Sequence, residues 1–250
     1  MANKFFPRFL FLMLCSFNAI FSDSQEISKP LLLKNVWGPE AMSLGYYIEF
    51  QEPNKYVKNF GGPGSWQCSG TFQIASGKLL LSRGEFDPLE TPRENMNCES
   101  MKCQLVPDNK SLYRNLKLSC DPSKYEYFLK SATATPGMER KVDAQRVVTM
   151  GTKTAILKTA MKVRVQPNSK AQAYFLESMG TETTNRDSLP EKHEITLLAR
   201  SLKKDKVGSS ENYWYFADLD LELSYCARLQ KEKGCRSTGW IFGEWLEIQQ

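Results

Sequence analysis

Apolar and polar residues alternate in short runs along most of the chain, and turn residues cut the runs. Residues 42–50 (MSLGYYIEF) are aromatic-rich and lead into Glu52-Pro53-Asn54. Residues 56–60 resume the pattern until Gly61-Gly62-Pro63-Gly64 breaks it. Residues 65–74 (SWQCSGTFQI) alternate, Ser76-Gly77-Lys78 turns the chain, and Leu79-Leu80-Leu81 returns. Successive side chains on a strand point to opposite faces, so period-two runs bounded by Gly, Pro, Asn and Asp predict short antiparallel strands. No segment beyond residue 24 keeps a 3.6-residue apolar period for long enough to predict a substantial helix. The predicted class is all-β: an antiparallel meander or barrel over residues 25–152, then a smaller barrel over 153–250. The boundary is read at Gly151-Thr152-Lys153, after the small, loop-like stretch 131–137 (SATATPG) and a last strand at 142–150.

Within the first unit, residues 103–106 and 111–120 flank Pro107-Asp108-Asn109-Lys110, where Asp and Asn suit a turn centre. A turn centred between 108 and 109 sets Cys103 opposite Arg114 and Cys120 beside Cys98. That register favours a Cys98–Cys120 bridge and leaves Cys103 for Cys68. The alternative, Cys98–Cys103 with Cys68–Cys120, stays open, because a slip of a few residues changes the pairing.

The N-terminus predicts the compartment. Lys4 and Arg8 precede a run, residues 9–21, that is apolar apart from Cys15, Ser16 and Asn18. Ser22 and Ser24 fit the small-residue positions of a signal-peptidase site, so residues 1–24 read as an export signal cut after Ser24. The run is too short for a membrane-spanning helix, which needs about 20 residues, and no later stretch approaches that length. The expected location is periplasmic, cell-surface or secreted. A second processing route is offered by LMLC, which resembles a lipoprotein box ending at Cys15. Leu14 and the apolar residues after Cys15 suit that box poorly.

Six cysteines remain under either route: Cys68, Cys98, Cys103, Cys120, Cys226 and Cys235. An even count in an exported chain predicts three disulfides, with Cys226 and Cys235 stapling one loop. Zinc is the rival, since Cys98 and Cys103 would make half a site. No second close pair completes it, and His193 is the only histidine. No metal or cofactor is expected.

Charge removes a further class. The formal net charge of +5 falls to +4 once Lys4, Arg8 and Asp23 leave with the signal. Residues 25–155 hold 17 Lys and Arg against 14 Asp and Glu, and residues 156–250 hold 14 against 13. The basic block that nucleic-acid binding needs is missing from both halves. The acidic stretch 84–100, with Asp87, Glu90, Glu94, Asn97 and Glu99, matches no calcium-loop spacing and reads as a solvated excursion. Gly61-Gly62-Pro63-Gly64 lacks the Gly-Lys-Ser/Thr ending and the following helix of a phosphate loop, so it reads as a turn.

Four segments in order carry a family resemblance. Residues 161–168 (MKVRVQPN) resemble the opening LNVRSGPS of bacterial Src-homology-3-like (SH3-like) domains. Residues 189–198 (LPEKHEITLL), 213–216 (YWYF) and 239–246 (GWIFGEWL) are similar to that family's later strands, the last to its closing GWVsgkYL. Consistency across the last 90 or so residues carries the match, which implies a small SH3-like β-barrel closed by the 237–248 segment. Gln166 stands where the family has a turn glycine, and the loops 181–188 and 217–236 are enlarged. The first unit is similar to lipocalin-like barrels in strand spacing alone.

The SH3-like resemblance implies a non-catalytic exported binding protein that docks cell-wall peptide, envelope protein or a host extracellular protein. Candidate ligand-binding residues are Tyr174, Tyr213, Tyr215 and Trp245, whereas Trp214 and Trp240 are expected in the core. The alternative is an exported hydrolase targeted by the barrel. Its nucleophile would depend on His193, and a carboxylate pair such as Asp87 with Glu90 has no motif around it. No catalytic residue is assigned.

Overall fold

The computed structural model describes residues 26–40, 45–60, 66–88, 98–122, 126–178, 186–221, 225–229 and 234–249. The export signal with Cys15, the Gly61–Gly64 turn, most of the acidic stretch and most of the loop at 181–188 lie outside the described residues.

The first unit is an antiparallel barrel. Its strands are β1 (Trp37–Gly38), β2 (Tyr46–Gln51), β3 (Lys55–Phe60), β4 (Trp66–Ala75), β5 (Lys78–Leu81), β6 (Glu85–Pro88), β7 (Met101–Pro107), β8 (Leu116–Asp121) and β9 (Tyr127–Leu129). Eight of them follow one another round the wall and close on themselves where β1 meets β9; β6 lies beside β4. Alternation explains the closure. Ile48 and Phe50, Leu79 and Leu81, and Leu116 and Leu118 recur at every second position and are all buried. The eight strands of the closed wall leave no free edge among themselves, and β6 pairs on one side only.

A short helix, α1 (Lys29–Leu33), precedes β1. Ser28 caps it by accepting from the Leu31 amide, and Pro30 suits its first turn. Leu32 is fully buried in the barrel core, and Lys29 pairs with Glu52 in the β2–β3 turn at 2.7 Å. The helix therefore plugs the end of the barrel that carries this turn. Five residues are too few to show a helical period, which is why the sequence pattern did not contain it.

The second sheet comprises β10 (Glu139–Val142), β11 (Gln145–Leu157), β13 (Glu194–Ser201), β16 (Trp214–Asp218) and β18 (Thr238–Phe242), in that order across the sheet. A 3-10 turn (Gly243–Trp245) leads from β18 into β19 (Leu246–Ile248), which pairs with β11. The terminal segment 237–248 is thus two strands with a turn between them. Two small hairpins flank the sheet, β12 (Phe175–Ser178) with β17 (Tyr225–Arg228) and β14 (Asp205–Val207) with β15 (Ser210–Asn212).

Residues 142–150 belong to this second sheet and not, as expected, to the first unit. The chain passes from one sheet to the other between Leu129 and Glu139. Gly151-Thr152-Lys153 lies inside β11, at the β-bulge where its register with β13 shifts. Gly151 (φ 71°) and Thr152 (φ 57°) take the left-handed backbone that lets the strand bend there.

The disulfides are Cys68–Cys98, Cys103–Cys120 and Cys226–Cys235. All six cysteines pair, and Cys226 joins Cys235 as expected, but the first two links follow neither connectivity read from the sequence. Cys103 faces Cys120 directly, because β7 and β8 pair only from Pro107 and Leu116 onward. The connection is a wide loop, 108–115, and not a tight turn at 108–109. Asp108 does head it, accepting from the Lys110 and Ser111 amides. The loop then reaches into the second unit: Ser111, Tyr113 and Arg114 are buried, and Leu112 packs on the second core. The Tyr113 hydroxyl donates to the Asp218 carboxylate of β16 at 3.0 Å. Proteolysis of the unreduced protein should yield one peptide pair joining Cys68 to Cys98 and another joining Cys103 to Cys120. Mass mapping that finds Cys98 linked to Cys120 contradicts this register.

Candidate functional site

Four sequence features build a cleft on the second unit. Trp214 opens β16 and faces Phe242 of β18 in register, the rings 5.3 Å apart and edge-to-face. Both are buried and form the cleft's floor. Gly243 then starts the 3-10 turn close under Tyr215: a Cβ there would lie 2.4 Å from the Tyr215 ring, so only glycine fits. The turn lifts Trp245 out of the core to stand 39% exposed over the cleft, its ring 6.0 Å from that of Phe242.

Polar contacts set the walls. The Trp214 indole donates to Asp205 Oδ2 at 2.9 Å, which holds the β14–β15 hairpin and its Val207 against the opening. The opposite wall is the segment from Thr159 to Lys162 with Arg164. Arg164 bridges Trp240 of β18 and donates from its guanidinium to the Ala171 carbonyl, so it shapes the wall. This segment crosses directly over Gly239, where a Cβ would meet Val163 at 2.3 Å. Lys162 pairs with Asp187 at 3.0 Å, and its hydrogen bond holds the Asp187 carboxyl below the usual carboxylate range. The space is about 450 Å³, open to solvent, with aromatic rings on one side and the basic side chains of Lys162 and Arg164 on the other. Such a cleft holds a few residues of peptide or one small molecule.

The four candidate residues do not come together. Trp245 alone lines the cleft. Tyr174 and Tyr215 are buried in the second core, 8% and 7% exposed. Tyr213 is half-buried elsewhere, under the Arg200 guanidinium at 4.2 Å from its ring. Trp214 and Trp240 are both core residues, and Trp214 also forms the cleft floor. The parts of the site that sequence reasoning did not assign are Phe242, Lys162 and Arg164. Phe242 was signalled only by its place two residues after Trp240 on one strand.

His193 lies just before β13, and its Nε2 is 2.6 Å from the Leu219 carbonyl oxygen. That contact orients the ring toward a backbone carbonyl. Among the described residues, no group of three or more His, Cys, Asp or Glu is placed to hold a metal ion, and no helix is long and apolar enough to cross a membrane. No protein-family model matches the chain, and no curated protein or solved structure matches it.

Proposed function

We propose that the chain is an exported, non-catalytic binding protein whose second unit is an SH3-like module that docks a peptide segment of a cell-wall, envelope or host extracellular ligand. The observation that carries this reading is Trp245, a large ring exposed beside a cleft whose floor is already aromatic. Rigid rings give contact area at small entropic cost, so exposed aromatic clusters in a concavity favour binding over simple packing. The order of strands, with a 3-10 turn before a last strand that returns to β11, also suits a small barrel of this kind. Three disulfides fit an oxidising, exported setting.

The test is capture by the full chain from purified peptidoglycan, envelope extract and host matrix proteins, compared with Trp245→Ala. Trp245→Ala should lower capture about tenfold or more, the scale of a hot-spot ring, while changing stability by less than about 1 kcal/mol. Equal capture by both proteins, or no capture from any source, overturns the reading.

A further inference from the structure

The wall of the cleft opposite the rings carries its charge. Met161 and Val163 are buried in the second core, so alternation along this extended segment turns Lys162 and Arg164 the other way, and both line the cleft. Among the described residues no carboxylate lines it. The acidic groups around it are engaged. Asp205 accepts from the Trp214 indole and the Lys206 amide, Glu244 accepts from Asn212, and Asp187 pairs with Lys162. The cleft therefore presents aromatic faces and two cations, with no acid of its own.

Asp187 is a weak partner for Lys162. Met161 and Leu189 exchange backbone hydrogen bonds, which brings the segment holding Asp187 alongside Lys162. The two side chains are 52% and 62% exposed, and exposed ion pairs add little to stability and are screened by salt. A carboxylate arriving with a ligand can make the same charge-assisted contact. Its apolar neighbours also gain contact with the rings, which Asp187 does not.

We propose that the cleft selects an acidic peptide segment: an apolar side chain of the ligand packs on Trp245 and Phe242, and an adjacent Asp or Glu displaces Asp187 from Lys162. This rests on the reading of the cleft as a binding site and adds the sign of its ligand. A basic segment would meet Lys162 and Arg164 with like charge, which opposes docking. A neutral apolar segment would leave both cations unmatched. Asp187 is then a placeholder, holding Lys162 in position in the free protein and yielding to the ligand.

A random-peptide phage library, panned on the full chain, is the probe. It should enrich sequences with Asp or Glu adjacent to an aromatic or aliphatic residue. An enriched peptide is then synthesised in its acid form and as the matching Asn or Gln amide, and both are titrated by calorimetry. The unaltered chain should bind the acid form about fivefold or more tightly than the amide, the scale of a charge-assisted contact. Lys162→Gln should abolish that preference. Asp187→Asn should tighten the acid form about two- to fivefold, the worth of an exposed ion pair, and leave the amide form unchanged. A gain of affinity cannot come from misfolding. Trp245→Ala should weaken both forms alike. The proposal falls if basic or uncharged sequences are enriched in place of acidic ones, if Lys162→Gln keeps the acid preference, or if Asp187→Asn binds the acid form no more tightly. No enrichment at all also overturns it. In that case capture that still depends on Trp245 leaves the cleft as a binding site, and loss of capture as well removes both readings.

Discussion

Tyr113→Ala should destabilise the folded chain by about 3–5 kcal/mol, the range for truncating a buried aromatic ring. The ring sits at the tip of the 108–115 loop, 8% exposed, and its hydroxyl is hydrogen-bonded to Asp218. Removing it opens a void between the two units and takes from the Asp218 carboxylate, already pushed above its ordinary value by burial, its side-chain donor, leaving only the Asp220 and Leu219 amides to offset that burial. Tyr113→Phe removes the hydroxyl alone and should cost about 1–3 kcal/mol, the cost of an unsatisfied buried polar group. Alkaline pH separates the two contributions. Burial, with Asp218 beside it, pushes the Tyr113 phenol far above the ordinary tyrosine value. The folded state keeps it neutral while the unfolded chain ionises above pH about 10. Its contribution is therefore complete below that pH and is lost as pH rises beyond it. Denaturant titrations at pH 7 and pH 11 should show the unaltered protein losing more stability than Tyr113→Phe. Parallel losses contradict the burial of this phenol.

The second large effect is expected at Trp240. Trp240→Ala should cost about 3–5 kcal/mol, because the indole is 1% exposed and packs on Phe216 with ring centres 5.4 Å apart. The backbone of Trp240 also exchanges hydrogen bonds with Arg164, so the strand and the crossing segment depend on the same position. Thermal melting of Trp240→Ala beside Trp245→Ala checks it. Two tryptophans five residues apart on one short segment should differ by several kcal/mol, and equal effects would contradict their opposite burial.

That contrast marks where sequence pattern suffices and where it stops. The strand runs at 46–51 and 78–81 and the coupling of Gly239 to Trp240 come from local rules, and those segments form strands. The register of β7 on β8 is set by tertiary contacts: a loop headed by Asp108 would be a tight turn if Leu112 and Tyr113 did not have a second core to enter. For the same reason the first two disulfides could not be deduced. The site was half legible. Trp245 was found as a candidate because it is aromatic near a bend, but the same signal also selected Tyr174 and Tyr215. These two are turned inward, by pairing with the Val163 segment and by packing under Gly243.

The closing of the barrel at β1 also sets an order of assembly. Apart from β5 and β7, which are joined through residues 82–100, its other neighbouring strands are connected by at most eight residues, so those hairpins can form from local encounters. The seam joins Trp37 to Leu129 and Gly38 to Phe128 through a strand of only two residues. Bringing such distant positions together costs loop entropy before any contact rewards it, and topologies of this kind fold slowly. The seam is thus the last part of the wall to form and the first to open. Until α1 and Trp37 dock, the growing sheet presents free edges at β2 and β9, and a newly made chain must cross that interval without pairing with another copy of itself.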